Sequence, residues 1–300
     1  TTTDSKIITG FDLGYESNAK TKIIGTEINY SNKKFFLNTD FISRKSENYF
    51  DGNNKEVLFS QYNKYNFSAI TGYKISKKEK IGATLIYDKA TDVGYPALPM
   101  DVSLAKALIA SVNYEYLNSK SFIQSLDAKI YANSVTHVMD DTKRPNVPIH
   151  MDMPGWSDTY GFYVKSKMKK DKHNLLVNFN GYYNTSLAEM TMYPPNSTEK
   201  LMFMLTWPDV RTFYTGIYLE DKIKINPATS AQFSTRIGFQ NNRIASSIGL
   251  GSLQIFYPNL STSKNRFLPS FSAQITHKKK FITYTSSIGY GERAPSVSEG

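Results

Sequence analysis

Thirteen segments, each roughly ten to fifteen residues long, alternate apolar and polar side chains with a period of two. Between them, short Lys-rich turns alternate with long irregular connectors. A strand whose two faces differ throughout must meet two different surroundings. When one of these is hydrocarbon, every backbone polar group has to be satisfied by a neighbouring strand, so the pattern predicts an all-β, transmembrane antiparallel β-barrel.

The segment Thr21 to Tyr30 puts Ile24, Thr26, Ile28 and Tyr30 on one face and Gly25, Glu27 and Asn29 on the other. From Lys106 to Leu117, Leu108, Ala110, Val112, Tyr114 and Tyr116 oppose Ser111, Asn113 and Glu115. Ala231, Phe233, Thr235, Ile237 and Phe239 oppose Gln232, Ser234, Arg236 and Gly238, and the alternation recurs at Ile282, Tyr284, Ile288 and Tyr290.

Short turns are expected near 31–34, 76–79, 117–120, 169–172, 226–228 and 277–279, and these would be periplasmic. Long connectors at 46–62, 91–104, 137–157, 187–210 and 243–263, with a last one from Arg293, would face outside. The glycines of Gly249-Leu-Gly251 and Gly289-Tyr-Gly291 read as kinks or bulges at strand ends, not as phosphate loops.

Composition removes several rivals. No stretch approaches the roughly 18 apolar residues of a transmembrane helix, and the mean hydropathy of −0.42 is that of strands wetted on one face. The 21 tyrosines and 18 phenylalanines are enough for two interfacial girdles. The net charge of +10 comes largely from lysines of the short turns, such as Lys33, Lys34, Lys77, Lys78, Lys169, Lys170, Lys172 and Lys278 to Lys280. They gather at one rim, where they suit lipid headgroups and not a nucleic acid. There is no cysteine, so neither a disulfide nor a thiolate site arises in this stretch. No nucleophile or paired-carboxylate constellation stands out, so no enzyme is expected. The polar start Thr1 to Lys6 has no signal-peptide pattern. An odd strand count, where single-chain bacterial barrels carry even numbers, marks residues 1–300 as part of one larger barrel domain.

The chemistry lies in the long connectors. Eight of the nine methionines fall in or beside three of them: Met100, Met139, Met151, Met153, Met190, Met192, Met202 and Met204. Six form Met-x-Met pairs, and His137-Val-Met139 repeats the spacing, which puts both partners on one face of an extended chain. Carrying the alternation outward from Phe122, Leu126, Ala128 and Ile130 places His137 and Met139 in the inward phase. The same count from Leu175, Val177 and Phe179 turns Met190 and Met192 inward, and from Phe213, Thr215, Ile217 and Leu219 it turns Met202 and Met204 inward. Met151 and Met153 match. Soft thioethers with one or two imidazoles suit Cu(I) and accept Cu(II) through histidine, whereas calcium or magnesium would want oxygen ligands. The alternative is adaptable apolar packing over the lumen mouth. His173 and His277 fall at the opposite rim as turn residues.

The run from Tyr290 through Gly-Glu-Arg-Ala-Pro-Ser-Val-Ser to Glu299 resembles the barrel motif of TonB-dependent outer-membrane receptors. With Tyr95-Pro-Ala-Leu-Pro-Met-Asp101, His137-Val-Met-Asp140, Glu189-Met-Thr-Met-Tyr193 and Trp207-Pro-Asp-Val-Arg211, it looks like the copper-receptor branch of that family. The likeness covers residues 95 to 300, and the first 90 only in general style.

The resemblance implies a 22-stranded barrel in the bacterial outer membrane, filled by an N-terminal plug that these residues do not include. It also implies import of copper, as ion or chelate, driven by the TonB complex. In the copper branch a His-x-Met pair joins plug ligands at the metal, which falls here on His137 and Met139. Met151, Met153, Met190, Met192, Met202 and Met204 follow as secondary or relay ligands. The expected partners are copper, outer-membrane lipid and the TonB complex, with a surface lipoprotein as a further candidate. No catalytic cofactor is expected. A receptor for a ferric siderophore or haem would share every barrel feature and would use Tyr95, Trp156, Tyr193 and Trp207. A passive porin or adhesin barrel would lack a plug, and a soluble all-β binder would leave its apolar faces in water.

Overall fold

The computed structural model describes residues 5–196 and 198–297. Its strands are β1 (Lys6–Glu16), β2 (Thr21–Ser31), β3 (Phe35–Ser46), β4 (Tyr62–Lys74), β5 (Glu79–Val93), β6 (Asp101–Leu117) and β7 (Ile123–Asp140). They continue as β8 (His150–Lys170), β9 (His173–Tyr193), β10 (Met202–Lys224), β11 (Thr229–Ile244), β12 (Ser263–Lys279) and β13 (Ile282–Gly291), with one helix, α1 (Ser247–Gln254), between β11 and β12. All thirteen form a single antiparallel sheet in sequence order, with β1 and β13 at its edges.

The turns at one end are tight for local reasons. Asn32 Oδ1 accepts hydrogen bonds from the backbone N–H of Lys34 (2.9 Å) and Phe35 (2.8 Å), and Asn226 Oδ1 does the same for Ala228 and Thr229. The two-residue turn between β8 and β9 places Asp171 at φ 51°, a left-handed position that Asp tolerates.

At the other end the strands outrun expectation. β8 and β9 have 21 residues each and β10 has 23, against 11 in β1. At ~3.3 Å per residue β10 is roughly 75 Å long and β1 roughly 36 Å, so β7–β10 stand well above the rest of the sheet. The expected connectors 137–157 and 187–210 therefore shrink to 141–149 and 194–201, and the residues they lose become paired strand.

Side-chain direction follows the alternation read from the sequence. Ile130, Tyr160, Val164, Phe179, Phe213, Ile217, Phe233, Ile237, Phe271 and Ile288 are exposed on one face, where no other part of the chain covers them. The opposite face carries Asp127, Lys129, Asn133, Lys165, Asn178 and Asn180. Residues 293–297 lie against this polar face beside Tyr182, Asn184, Thr212 and Gln240, which makes it the inner one. The Tyr290 motif thus leaves β13 and folds across the inner wall, although Ser298 and Glu299 lie outside the described residues.

One expectation fails in the connector 243–263. Gly249-Leu-Gly251 is helical, not a kink at a strand end. Ser246 caps α1 by accepting from Gly249 N–H at 3.1 Å. A β-carbon at Gly249 would fall 2.3 Å from Pro208 Cβ, so the glycine permits close packing of α1 on β10.

Candidate functional site

Above the apolar belt the paired strands β7–β10 align the sulphur-bearing residues in rows. Met139 pairs with Met153, and Met190 with Met204. The β8–β9 register, fixed by Asp152↔Thr191 and Gly155↔Ala188, sets Met153 opposite Met190. One row therefore runs Met139, Met153, Met190, Met204 across four strands. A second row, one side-chain repeat further out, runs Met151, Met192, Met202. Strands in a sheet lie ~4.8 Å apart, so neighbouring thioethers of a row are within reach of a shared ion.

Phase decides whether these rows face the lumen. β7 and β8 pair without interruption from Ser125↔Lys167 to Asp140↔Asp152, and β8 and β9 keep one register from Lys170↔His173 to Asp152↔Thr191. His137, Met139, Met153 and Met190 thus share the face of Asn133, Lys165 and Asn180. Against β9, β10 shifts register twice between Leu205 and Val210, where Trp207, Pro208 and Asp209 (φ 51°) lie. The two shifts add to two residues, which restores the phase.

Beneath the four-methionine row, His137, Gly155, Ala188 and Trp207 form the next one. Gly155 and Ala188 contribute almost no side-chain volume there, and they leave a hollow of about 480 Å³ lined by His137, Met139, Met153, Gly155, Ser157, Ser186 and Trp207 among others. His137 and Met139 thus open into one space together with Met153. Met190 and Met204 continue the row beside it, while Met151, Met192 and Met202 stand a row further out. Among the described residues no three His, Cys, Asp or Glu side chains cluster as a metal site, so the soft donors here are thioethers and one imidazole.

The flank of the site is held by a structure that the sequence pattern does not announce. Arg144 and Asp101 form a buried ion pair, with 8% and 6% side-chain exposure. Arg144 also donates to the carbonyls of Tyr95 (2.9 Å) and Met100 (3.2 Å), and its guanidinium lies 3.7 Å from the Phe59 ring centroid. Three connectors are thereby tied together. Met100 and Val102 are the buried apolar residues beside this knot, and Val102 pairs with Met139 to extend the methionine row. A register shift between Val102 and Leu104 turns Val102 to the inner face against the phase of the rest of β6. Asp141, also buried, accepts from Met151 N–H (2.8 Å) and contacts His150 Nδ1 (2.9 Å). Lys143 is drawn to Asp92, whose carboxylate raises its pKa above the usual lysine value. The pair Asp101 and Arg144 could have been suspected only from Asp101 closing the Tyr95 motif.

His173 and His277 lie at the short-turn rim, bonded to Asp221 (2.6 Å) and Thr229 (2.9 Å), far from the methionine rows.

No protein-family model and no curated protein matches the sequence. Solved structures match over almost the whole chain. A structure described as copper transporter OprC superposes with a TM-score of 0.77 at 16% identity, covering 98% of this chain and 47% of that one. The FrpB iron transporter from Neisseria meningitidis gives 0.61 at 16%, covering 97% and 46%. The ferric citrate transporter FecA gives 0.63 at 9%, covering 95% and 43%. The chain spans about half the length of the structures it matches. The sheet has the fold of the barrel in TonB-dependent receptors.

Proposed function

We propose that this chain is part of the barrel domain of a TonB-dependent transporter of the bacterial outer membrane, and that its cargo is copper, as ion or chelate. The observation that carries the proposal is the row Met139, Met153, Met190, Met204 on the inner face, with His137 in the hollow beneath it. Four neutral sulphur donors at one level suit a soft monovalent cation, which hard carboxylates would hold poorly and which charged thiolates would hold more tightly. His137 and Met139 are the first ligands. Met153 completes the set within this chain, and Met151, Met190, Met192, Met202 and Met204 hand the ion inward from the mouth. A plug carried elsewhere in the polypeptide supplies the remaining ligands and couples to the TonB complex, and a surface lipoprotein is a candidate partner at the mouth. The resemblance of the Tyr290 and His137 motifs and the superposition on a copper transporter support this reading.

Copper is tested by titrating the full-length receptor with Cu(I) against a chromophoric chelator. His137→Ala with Met139→Ala should weaken binding at least about tenfold, equivalent to ~1.4 kcal/mol. Equal affinity in the double variant removes those ligands, and absence of binding by the wild type ends the copper reading. A second reading, a ferric siderophore or haem receptor, is favoured by Trp207 at the hollow and by the iron-transporter neighbours, while Trp156 takes the outward phase of β8. It predicts quenching of tryptophan fluorescence by a ferric chelate and none of the copper response.

A further inference from the structure

We infer that the outer rim between β10, β11 and α1 is a binding site for a phosphorylated lipid of the outer leaflet, a reading that rests on the membrane-spanning part of the proposed function and not on copper. Arg211 pairs with Arg243 across β10 and β11, and both belong to the outward phase of Phe213, Ile217, Ile237 and Phe239. Two like charges directly opposite on one sheet face repel. Arg211 has Asp209 at 3.2 Å, while Arg243 is exposed and has no ion-pair partner among the described residues. The pair is left with uncompensated positive charge at the upper edge of the apolar belt. Only Asn241 and Asn265, bonded to each other at 2.6 Å, separate Arg243 from Phe239 and Phe267 below. This is the level at which phosphate headgroups lie when acyl chains cover the belt.

The apolar half of such a site is on the following connector. The nearest atoms to a β-carbon at Gly249 include Leu205 Cδ1, and Leu205 points opposite to Met204, so α1 lies on the outside of the wall. At its end Ile255, Phe256 and Tyr257 are exposed at 76%, 77% and 66%, far beyond what a water-facing loop tolerates for three consecutive large apolar groups. α1 contacts both β10 and β11, so these exposed apolar groups stand at the same rim as the arginine pair, where an amphipathic side chain such as Tyr257 meets the acyl–headgroup boundary. Arginine forks bind phosphate in bidentate fashion.

The full-length receptor, delipidated in detergent, is offered dioleoyl phosphatidate or dioleoylglycerol, which differ only in the phosphate, and retained lipid is read by native mass spectrometry. The wild type should retain phosphatidate several-fold over diacylglycerol. Arg211→Gln with Arg243→Gln should remove that preference while leaving insertion into vesicles and unspecific lipid adducts intact. Phe256→Ser with Tyr257→Ser should lower retention of both lipids. Three results would overturn the site: wild-type preference in the arginine variant, no preference in the wild type, or displacement of phosphatidate by millimolar inorganic phosphate. A failure of the membrane reading itself shows differently, as absence of any lipid adduct and failure to insert into vesicles.

Discussion

The lower wall and the upper wall of β7–β10 have the same backbone and differ in polarity, most clearly on β7, β8 and β9. Below, Ile130, Val164, Phe179 and Ile217 point outward while Asp127, Lys165 and Asn178 point inward. Above, Asp140, Asp152, Glu189 and Thr191 share the outward positions with Phe203 and Leu205, and His137, Met139, Met153 and Met190 take the inward ones. No one-residue bulge lies between the two levels on β7, β8 or β9, so the reversal is not a slip of phase. The period of two is dictated by the pleat, whereas the face that is apolar is dictated by what lies outside it. Hydrocarbon on the outside of the lower wall demands apolar groups there, and water around the upper wall removes that demand. Sulphur on the inner face of the upper wall is then not set by lipid, and the proposed function assigns it to cargo.

The largest effect should come from the knot beside the methionine rows. Arg144→Ala leaves Asp101 buried and unpaired, and breaking such a pair costs about 3–5 kcal/mol. Because the pair joins connectors and not belt strands, the loss should be local: hydrogen exchange should accelerate at residues 94–102 and 141–151 and stay unchanged in the belt segments of β9 and β10. Uniform acceleration would mean that the two levels fold as one unit.

Next in size is a matched pair of charges. Ile217→Arg places a cation on the outward face of the belt and should lose roughly 2–4 kcal/mol near the midplane, measured by urea unfolding in vesicles. Thr191→Arg, also outward but on the upper wall beside Asp152, should stay within about 0.5 kcal/mol. Equal losses at both sites would place lipid against the upper wall and destroy the distinction.

Much of this contrast was legible in the sequence because parity survives along an unbroken strand. The count outward from Leu126 reached Met139 correctly since β7 and β8 pair without a shift there. The count back from Phe213 reached Met204 correctly because the irregularity around Pro208 inserts two residues; one would have sent the methionines to the outer face. At Val102 a single shift does reverse the phase, and alternation alone would misplace it. What the pattern could not give was that the residues around Met151, Met190 and Met202 are strand: Pro154 and the polar connectors read as loop, and only cross-strand pairing extends the ladder past them. Nor could it give the knot of Phe59, Asp101 and Arg144, which joins three connectors distant in sequence through contacts without periodicity. Gly249 was misread for a similar reason, since its role is set by Pro208 on another strand.

The smallest change in stability should accompany the most informative change in function. Leucine has nearly the volume and hydrophobicity of methionine, so Met190→Leu with Met192→Leu should alter unfolding by less than about 1.5 kcal/mol. It removes two thioethers from separate rows while leaving His137, Met139 and Met153 in place. If the upper wall conducts copper, uptake by cells carrying this variant should slow severalfold while equilibrium affinity at the hollow holds, because the missing groups stand beside and beyond the hollow and not in it. If the methionines only pack, uptake should match the wild type. The two levels would then differ in what surrounds them and not in what they do. Moving the same substitution to Met139 and Met153 should reverse the pattern, lowering affinity first, and that ordering of effects from mouth to hollow is what a filler role cannot produce.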